Sequence, residues 1–299
     1  MDYQATSLEP RYTRGGTPAG HAVSVAEPAR RIATSDPLAD RAHRIWSAGD
    51  YDRIAAGFRH EAEAFVERRA LRPGERVLDL ACGSGNVTIP AARTGATVTG
   101  LDIVPSLLAA AAAWAGREGL AVTLDEGNAE ELPYADAQFD AVLSMFGVMF
   151  AARPERVVAE LARVTRPGGR VALANWTRFG FTGRMLAMHA ALVPPPPGVS
   201  SPLQWGDGAV LRQWFDDRTW QLATTTRTLT FRYPHTPAGT AELFRATYGP
   251  TVRTFEAIDE DRRAQFAREL EDHWSRNDRT RGAATEVEAE YLEVIAVRR

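Results

Sequence analysis

The stretch Val77-Leu-Asp-Leu-Ala-Cys-Gly-Ser-Gly-Asn-Val-Thr-Ile-Pro90 decides how this chain is read. An apolar run broken only by Asp79 predicts a strand buried on both faces, as in a parallel sheet. Gly83 and Gly85 then permit a tight turn and a close backbone approach to a ligand. A helix is expected from Asn86 to Arg93. This strand–turn–helix has the form of a nucleotide-binding loop, with two departures. Thr88 stands where the third glycine of G-x-G-x-x-G would be, and an acid, Asp79, precedes the loop.

Working outward, the same alternation repeats. Strands are expected at 97–102, 121–126, 139–146 and 170–176, with helices at 105–116 and 154–165. This pitch predicts a parallel sheet covered by helices on both faces. Upstream, 39–71 reads as helical, with Ile54, Phe58, Ala62, Phe65 and Val66 at helical spacing. Residues 1–38, rich in small and polar types, read as a flexible arm without the apolar core of a signal peptide. Downstream, the pattern changes. Helices are expected at 182–192, 208–215, 237–248 and 259–276, and strands at 220–233 and 290–297. Pro194-Pro-Pro-Pro-Gly198 interrupts them.

Composition narrows the function. The 299 residues carry a formal net charge of -3, which does not point to nucleic acid or an anionic membrane as partner. All basic residues other than histidine are Arg; without Lys there is no lysine Schiff base. Cys82 is the single cysteine, so no intrachain disulfide can form and a cysteine-based zinc site is not expected. No metal site is expected at all. No segment approaches the roughly 18 apolar residues of a membrane span, and a cytoplasmic setting is expected.

Asp102 ends the second strand, 19 residues after Gly83. A carboxylate there can accept both hydroxyls of an adenosine ribose; it can equally cap the helix that begins at Pro105. NAD(P), FAD and S-adenosylmethionine all contain adenosine. A pyrophosphate is opposed by a carboxylate beside the loop, whereas a sulfonium and an α-ammonium are favoured by it. Thr88 also removes the glycine that dinucleotide folds use for close helix–strand packing.

With those residues in view, Glu75–Asn86 resembles motif I of the class I S-adenosylmethionine-dependent methyltransferases. The resemblance is greatest to the branch holding the ubiquinone/menaquinone methyltransferases and many small-molecule enzymes. Four further stretches fit in order: Val98–Ile103, Glu126–Pro133, Phe139–Phe146 and Leu161–Val171. The resemblance spans about 75–176. It implies an α/β, Rossmann-like, doubly wound sheet of seven strands, the last antiparallel between the fifth and sixth. A helical lid at 39–71 and an insert at 177–220 over the acceptor pocket complete one domain at 39–299, with 221–299 giving the C-terminal strands and helices.

The resemblance also implies roles. Ala81, Gly83, Ser84, Gly85 and Asn86 would lie against the methionine part and ribose, and Asp79 would orient the α-ammonium. Asp102 would hold the ribose, and Ile103 would pack on the adenine. Asn128, Ala129 and Glu130 would flank the adenine, Asn128 bonding its amino group through the side-chain carbonyl. Ser144 would lie near the methionine carboxylate or the sulfonium. Tyr51, in the Tyr51-Asp-Arg-Ile-Ala55 pattern, would close over the cofactor.

Methyl transfer from a sulfonium is an in-line displacement that rests on positioning and desolvation. A base is needed only where the acceptor loses a proton; His189, His235 and Tyr51 are the candidates. The Asn-Pro-Pro-Tyr signature of amide and adenine methylation is absent, Ser144-Met-Phe-Gly147 standing in its place. The aromatic and apolar residues Phe146, Met149, Phe150, Trp176, Phe179, Trp205 and Trp214 point to a small apolar or aromatic acceptor, in keeping with secondary metabolism. The protein would act as a monomer or homodimer. Two other readings share the motif: an S-adenosylmethionine-binding protein with other chemistry or a regulatory role, and an NAD(P)-dependent oxidoreductase.

Overall fold

The computed structural model describes residues 36–299. Of the arm read at 1–38, residues 1–35 lie outside them. The remainder is a helix start: α1 spans Pro37–Trp46, Asp36 accepting the Leu38 N–H at 3.0 Å and Pro37 filling the first turn. Two short helices follow, α2 (Tyr51–Ala55) and α3 (Arg59–Glu67).

The sheet then begins with β1 (Arg76–Leu80), α4 (Thr88–Arg93), β2 (Thr97–Asp102), α5 (Pro105–Glu118) and β3 (Thr123–Glu126). It continues through β4 (Phe139–Met145), α6 (Pro154–Val164) and β5 (Thr165–Trp176). Pro105 opens α5, and Gly119 closes it in the left-handed conformation at φ 66°. Several expected boundaries shift. The helix after the glycine loop starts at Thr88 rather than Asn86, because Gly83 and Gly85 hold positive φ and the chain stays in turns until Val87. β5 starts at Thr165 rather than 170. Its Pro167-Gly-Gly turn is an irregularity in the β4–β5 ladder, where Phe139 faces Thr165 and Ala141 faces Arg170.

The rest comprises α7 (Phe181–Leu192), α8 (Gly208–Trp214), β6 (Trp220–Tyr233), α9 (Pro237–Thr247), α10 (Gly249–Ala257), α11 (Glu260–Asn277) and β7 (Thr285–Arg298). α10 falls largely in the gap between two expected helices. Thr236 caps α9 and Asp259 caps α11 through their side-chain oxygens. β7 is 14 residues long, extending the expected strand back to Thr285, because it pairs along the whole of β6.

The seven strands run β3-β2-β1-β4-β5-β7-β6. β7 is antiparallel to both of its neighbours, and the other pairings are parallel. Chain order reverses between β1 and β4, where an open α/β sheet places its ligand crevice. β1 buries Val77 through Leu80 completely, as its unbroken apolar run requires. β6 alternates buried and exposed residues toward its end, one face packing on α11 through Trp274 and the other facing solvent. A buried carboxylate on β7, Glu293, ties the sheet to the N-terminal helices through Arg68, at 2.7 Å, and Arg69, at 2.9 Å. Among the described residues no helix is long and apolar enough to cross a membrane.

Candidate active site

A cleft of about 950 Å³, counting its mouth, opens at the C-terminal ends of β1, β2 and β4. From the first strand and its loop come Asp79, Ala81, Gly83, Ser84 and Asn86. Asp102 and Ile103 come from β2, and Asn128 and Ala129 from the segment after β3. Phe146 contributes from the end of β4, and Tyr51 from α2. These residues, spread over 96 positions of sequence, are brought together by the crossovers of the sheet.

Three strands converge closely here. Ala81 and Phe146, neither of them glycine, sit at φ 56° and 57° at the ends of β1 and β4. Such left-handed residues concentrate where a site needs a particular backbone path. Gly147 makes that path possible: a Cβ on it would lie 2.6 Å from the Ala81 carbonyl oxygen.

The two carboxylates of the cleft are held differently. Asp79, 1% exposed, accepts the Thr88 hydroxyl at 2.6 Å. Burial pushes its pKa up to about 7, against the lowering by Thr88 and with a further rise from Asp102. Thr88 is therefore the partner of Asp79 and more than a missing glycine. The close helix–strand packing that a third glycine would give comes from the opposite side. A Cβ on Gly100 of β2 would meet Cys82 Sγ at 2.9 Å and Thr88 Oγ1 at 3.1 Å.

Asp102 accepts the Gly83 N–H at 2.8 Å and the Val104 N–H at 2.9 Å. Burial raises its pKa, opposed by these backbone donors. It thus stabilises both the glycine turn and the entry to α5, with lone pairs left over for a ligand. Ser84 Oγ and Asn86 Oδ1 are buried in the wall without a hydrogen-bond partner. Unpaired buried polar atoms are rare, and a polar ligand is one explanation for them. Among the described residues no Arg or His lines this cleft.

Several expected residues are placed elsewhere. Gly85 faces α5; its Cβ would meet Ala111 Cβ at 3.2 Å. Glu130 turns away to Arg153, accepting the backbone N–H at 3.0 Å and Nε at 2.5 Å. Ser144 lies beneath the floor, its Oγ accepting the Val148 N–H at 3.0 Å. Asn128 lines the cleft, its Oδ1 accepting the Glu130 N–H at 3.0 Å on one of two lone pairs and its NH₂ remaining a donor.

The expected acceptor residues divide. Phe146 lines the cleft, and Trp176 stacks behind it at 3.5 Å, supporting the wall without reaching the space. Met149 and Trp205 are wholly buried core. Phe179 is 79% exposed and is not part of the cleft lining. Phe150 lines the cleft as expected, and Trp46, Phe58 and Leu107 line it in addition. Trp46 and Leu107 were legible only as apolar positions of helices, since nothing in a helical period marks which turn will face a strand end.

The candidate bases lie apart as well. His235 is exposed, and its backbone carbonyl accepts the Thr285 hydroxyl at 2.7 Å. His189 is buried in the wall of a second cavity, its Nε2 2.8 Å from Thr251 Oγ1. Burial lowers its pKa to about 4, so it is neutral at ordinary pH and a weak base. Of the three, Tyr51 alone lines the cleft; burial and the nearby Asp102 raise its pKa, and its hydroxyl stays protonated. Cys82 also lines the cleft, but burial raises its pKa well above the usual thiol range, so it is not a thiolate nucleophile. Among the described residues no group of three or more His, Cys, Asp or Glu is arranged to hold a metal.

Residues 78–173 match the methyltransferase domain family. An uncharacterised protein of Mycobacterium tuberculosis (strain H37Rv) is 37% identical over 254 residues, covering 83% of this chain and 90% of that protein. The ubiquinone/menaquinone biosynthesis C-methyltransferase of Bdellovibrio bacteriovorus is 34% identical over 131 residues, covering 42% of this chain and 56% of that enzyme. The crystal structure of the YcgJ protein from Bacillus subtilis superposes with a TM-score of 0.56 at 16% identity, covering 80% of this chain and 99% of that one.

Proposed function

Since the chain belongs to the class I S-adenosylmethionine-dependent methyltransferases, we propose that it methylates a small, largely apolar acceptor held beside the cleft at the ends of β1, β2 and β4. The observation that carries this reading is the charge of that cleft: two buried carboxylates, Asp79 and Asp102, within apolar walls and, among the described residues, no basic side chain. A cationic cofactor without phosphates fits such a lining, and a pyrophosphate does not. Family membership and this charge together set aside the NAD(P) oxidoreductase reading.

Bound there, S-adenosylmethionine supplies an electrophilic methyl group on a sulfonium, transferred by in-line displacement. Asp79, as the carboxylate, holds the ammonium, with Thr88 keeping that carboxylate oriented. Asp102 takes the ribose hydroxyls on the lone pairs its two backbone contacts leave free. Ser84 Oγ and Asn86 Oδ1 find partners on the cofactor that they lack within the protein. Ile103 would pack on the adenine and Ala129 would flank it, and the NH₂ of Asn128 would suit a ring nitrogen of the base.

Phe146, Phe150 and Trp46 exclude water from the reacting end, which strengthens positioning. With neutral His189 in another cavity and His235 on the surface, the described residues offer no histidine base at the cleft. The favoured acceptors are therefore nucleophiles that need little help in losing a proton, or that lose it to solvent.

Two measurements test this. Calorimetric titration should show S-adenosylhomocysteine binding that Asp102→Ala abolishes; unchanged affinity would remove the ribose role. A product assay for S-adenosylhomocysteine over a panel of phenols, quinols, indoles and amines should find turnover with aromatic members; activity confined to small polar amines would overturn the acceptor class.

A further inference from the structure

The second cavity, about 1610 Å³ with its open mouth, lies beside the first. Ala42, Trp46 and Phe150 line both, so the two spaces share one wall. Trp46 and Phe150 meet edge to face at 4.7 Å in that wall. The outer boundary is built from α1, α7, the proline segment and the start of α10. That last element lies in what the sequence had marked as C-terminal helices rather than as part of the pocket.

The two cavities have opposite charge. The first holds Asp79 and Asp102 and no arginine. The second holds Arg41, Arg178 and Arg253 and no carboxylate among the described residues. Its remaining lining is apolar apart from His189 and a few hydroxyls. Arg253 is partly engaged, with Glu256 at 2.6 Å and the Arg44 carbonyl at 2.9 Å. Arg41 and Arg178 meet no carboxylate among the described residues, and Arg41 is half-buried on α1. Burial and a second cation, Arg44, both disfavour the charged form of the Arg41 guanidinium, and no carboxylate among the described residues offsets them, so a bound anion would. In a chain of net charge -3, three arginines and, among the described residues, no acid lining one apolar space is a local inversion of the protein's balance.

We infer that the methyl acceptor is amphipathic and anionic: an apolar body in the second cavity, a carboxylate, sulfonate or phosphate group on Arg41 and Arg178, and the nucleophilic end reaching past Trp46 and Phe150. This rests on the reading of the first cleft as the methyl-donor site. The division keeps the cationic donor and the anionic acceptor each in its own field, and it gives the acceptor one orientation. Guanidinium groups suit such anions because their planar fork can bond two oxygens at once.

The test uses full-length protein saturated with S-adenosylhomocysteine and two fluorescent probes of one skeleton. 8-Anilinonaphthalene-1-sulfonate carries an anion, and N-phenyl-1-naphthylamine does not. The double variant Arg41→Gln/Arg178→Gln should weaken the sulfonate by about tenfold or more and leave the neutral probe unchanged. Ala187→Trp, which fills the cavity wall, should block both. Equal effects of the arginine changes on both probes, or on neither, overturn the anionic assignment. Binding of both probes undiminished in Ala187→Trp overturns the cavity. S-Adenosylhomocysteine affinity, measured by calorimetry in each variant, should stay at the wild-type value. If the wild type itself fails to bind S-adenosylhomocysteine, it is the donor-site reading that falls, and the two failures are distinct.

Discussion

The hydroxyl of Thr88, on the first turn of α4, donates to Asp79 Oδ2 across 2.6 Å, joining the helix after the glycine loop to the strand before it. The one residue that breaks the dinucleotide fingerprint is the residue that holds the acid. Asp79 stays at about 7, poised between its two charge states, because burial and Asp102 raise it and Thr88 lowers it.

That poise makes cofactor affinity depend on pH. Below about 7 the empty site holds Asp79 protonated, and a cationic ammonium must displace that proton; above it the carboxylate is ready. S-Adenosylhomocysteine affinity should therefore rise from about pH 6 to about pH 8, with proton release on binding at the low end. Thr88→Val removes a hydrogen bond that favours the charged form. It should cost about tenfold in affinity at neutral pH and move the midpoint upward. Calorimetry in buffers of different ionisation enthalpy reads both; a flat profile would show that Asp79 does not meet the ammonium.

Gly100→Ala tests the packing that stands in for the third glycine. The new Cβ would meet Cys82 Sγ at 2.9 Å, Leu124 Cδ2 at 3.0 Å and Thr88 Oγ1 at 3.1 Å. Side chains can yield where backbone cannot, so the fold should survive with a loss of about 1–3 kcal/mol. The displaced Thr88 hydroxyl should reproduce the affinity loss of Thr88→Val, and adding Cys82→Ala should restore part of it. Wild-type affinity in Gly100→Ala would separate the packing from the acid.

Gly147→Ala meets backbone instead: Ala81 O at 2.6 Å and Ala81 Cβ at 2.7 Å. With φ at -107°, conformation is no obstacle, and close approach alone forbids the side chain. The ends of β1 and β4 would be driven apart, and cofactor binding should be lost along with a fall in melting temperature. Ala81→Gly makes the opposite test, since Ala81 sits at φ 56°. It should leave stability equal or up to about 1 kcal/mol higher, because glycine adopts that region without cost.

Glu293 sits on β7 opposite Ala174, two strands away from β4, and is 4% exposed. Arg68, Arg69 and Arg227 surround it at 2.7, 2.9 and 2.9 Å. Burial acts to raise its pKa, but the arginines win and hold it below the usual value. A lowered carboxylate contributes stability above its unfolded pKa of about 4.5 and loses it as pH falls through the lower folded value. Glu293→Gln should remove this acid-side dependence and cost about 3–5 kcal/mol, because it strands buried cations. Asp79 works with the opposite sign: its raised pKa makes folding less favourable as pH climbs from about 4 to about 7. Thermal melts across that range, with and without S-adenosylhomocysteine, separate the two, since the ligand acts on Asp79 alone.

Much of this protein was determined by local sequence. The unbroken apolar run of β1, the left-handed glycines of its loop, the proline starts of α5 and α6 and the alternation of β6 each follow from one stretch of chain, because secondary structure answers to spacing and backbone conformation. The placing of Asp79 and Asp102 at strand ends follows the same way, and so does the charge argument for a cationic cofactor. Only the tertiary structure decided what depends on two distant surfaces meeting. It put Thr88 on Asp79, turned Glu130 to Arg153 and Ser144 to Val148, buried Trp205 and exposed Phe179. It brought Trp46 from the first helix to the wall of the cleft and gathered Arg41, Arg178 and Arg253, spread over 213 positions, around one space. Side-chain partnerships of that kind are selected by shape, burial and the need to satisfy every buried polar atom, and none of these has a period along the chain.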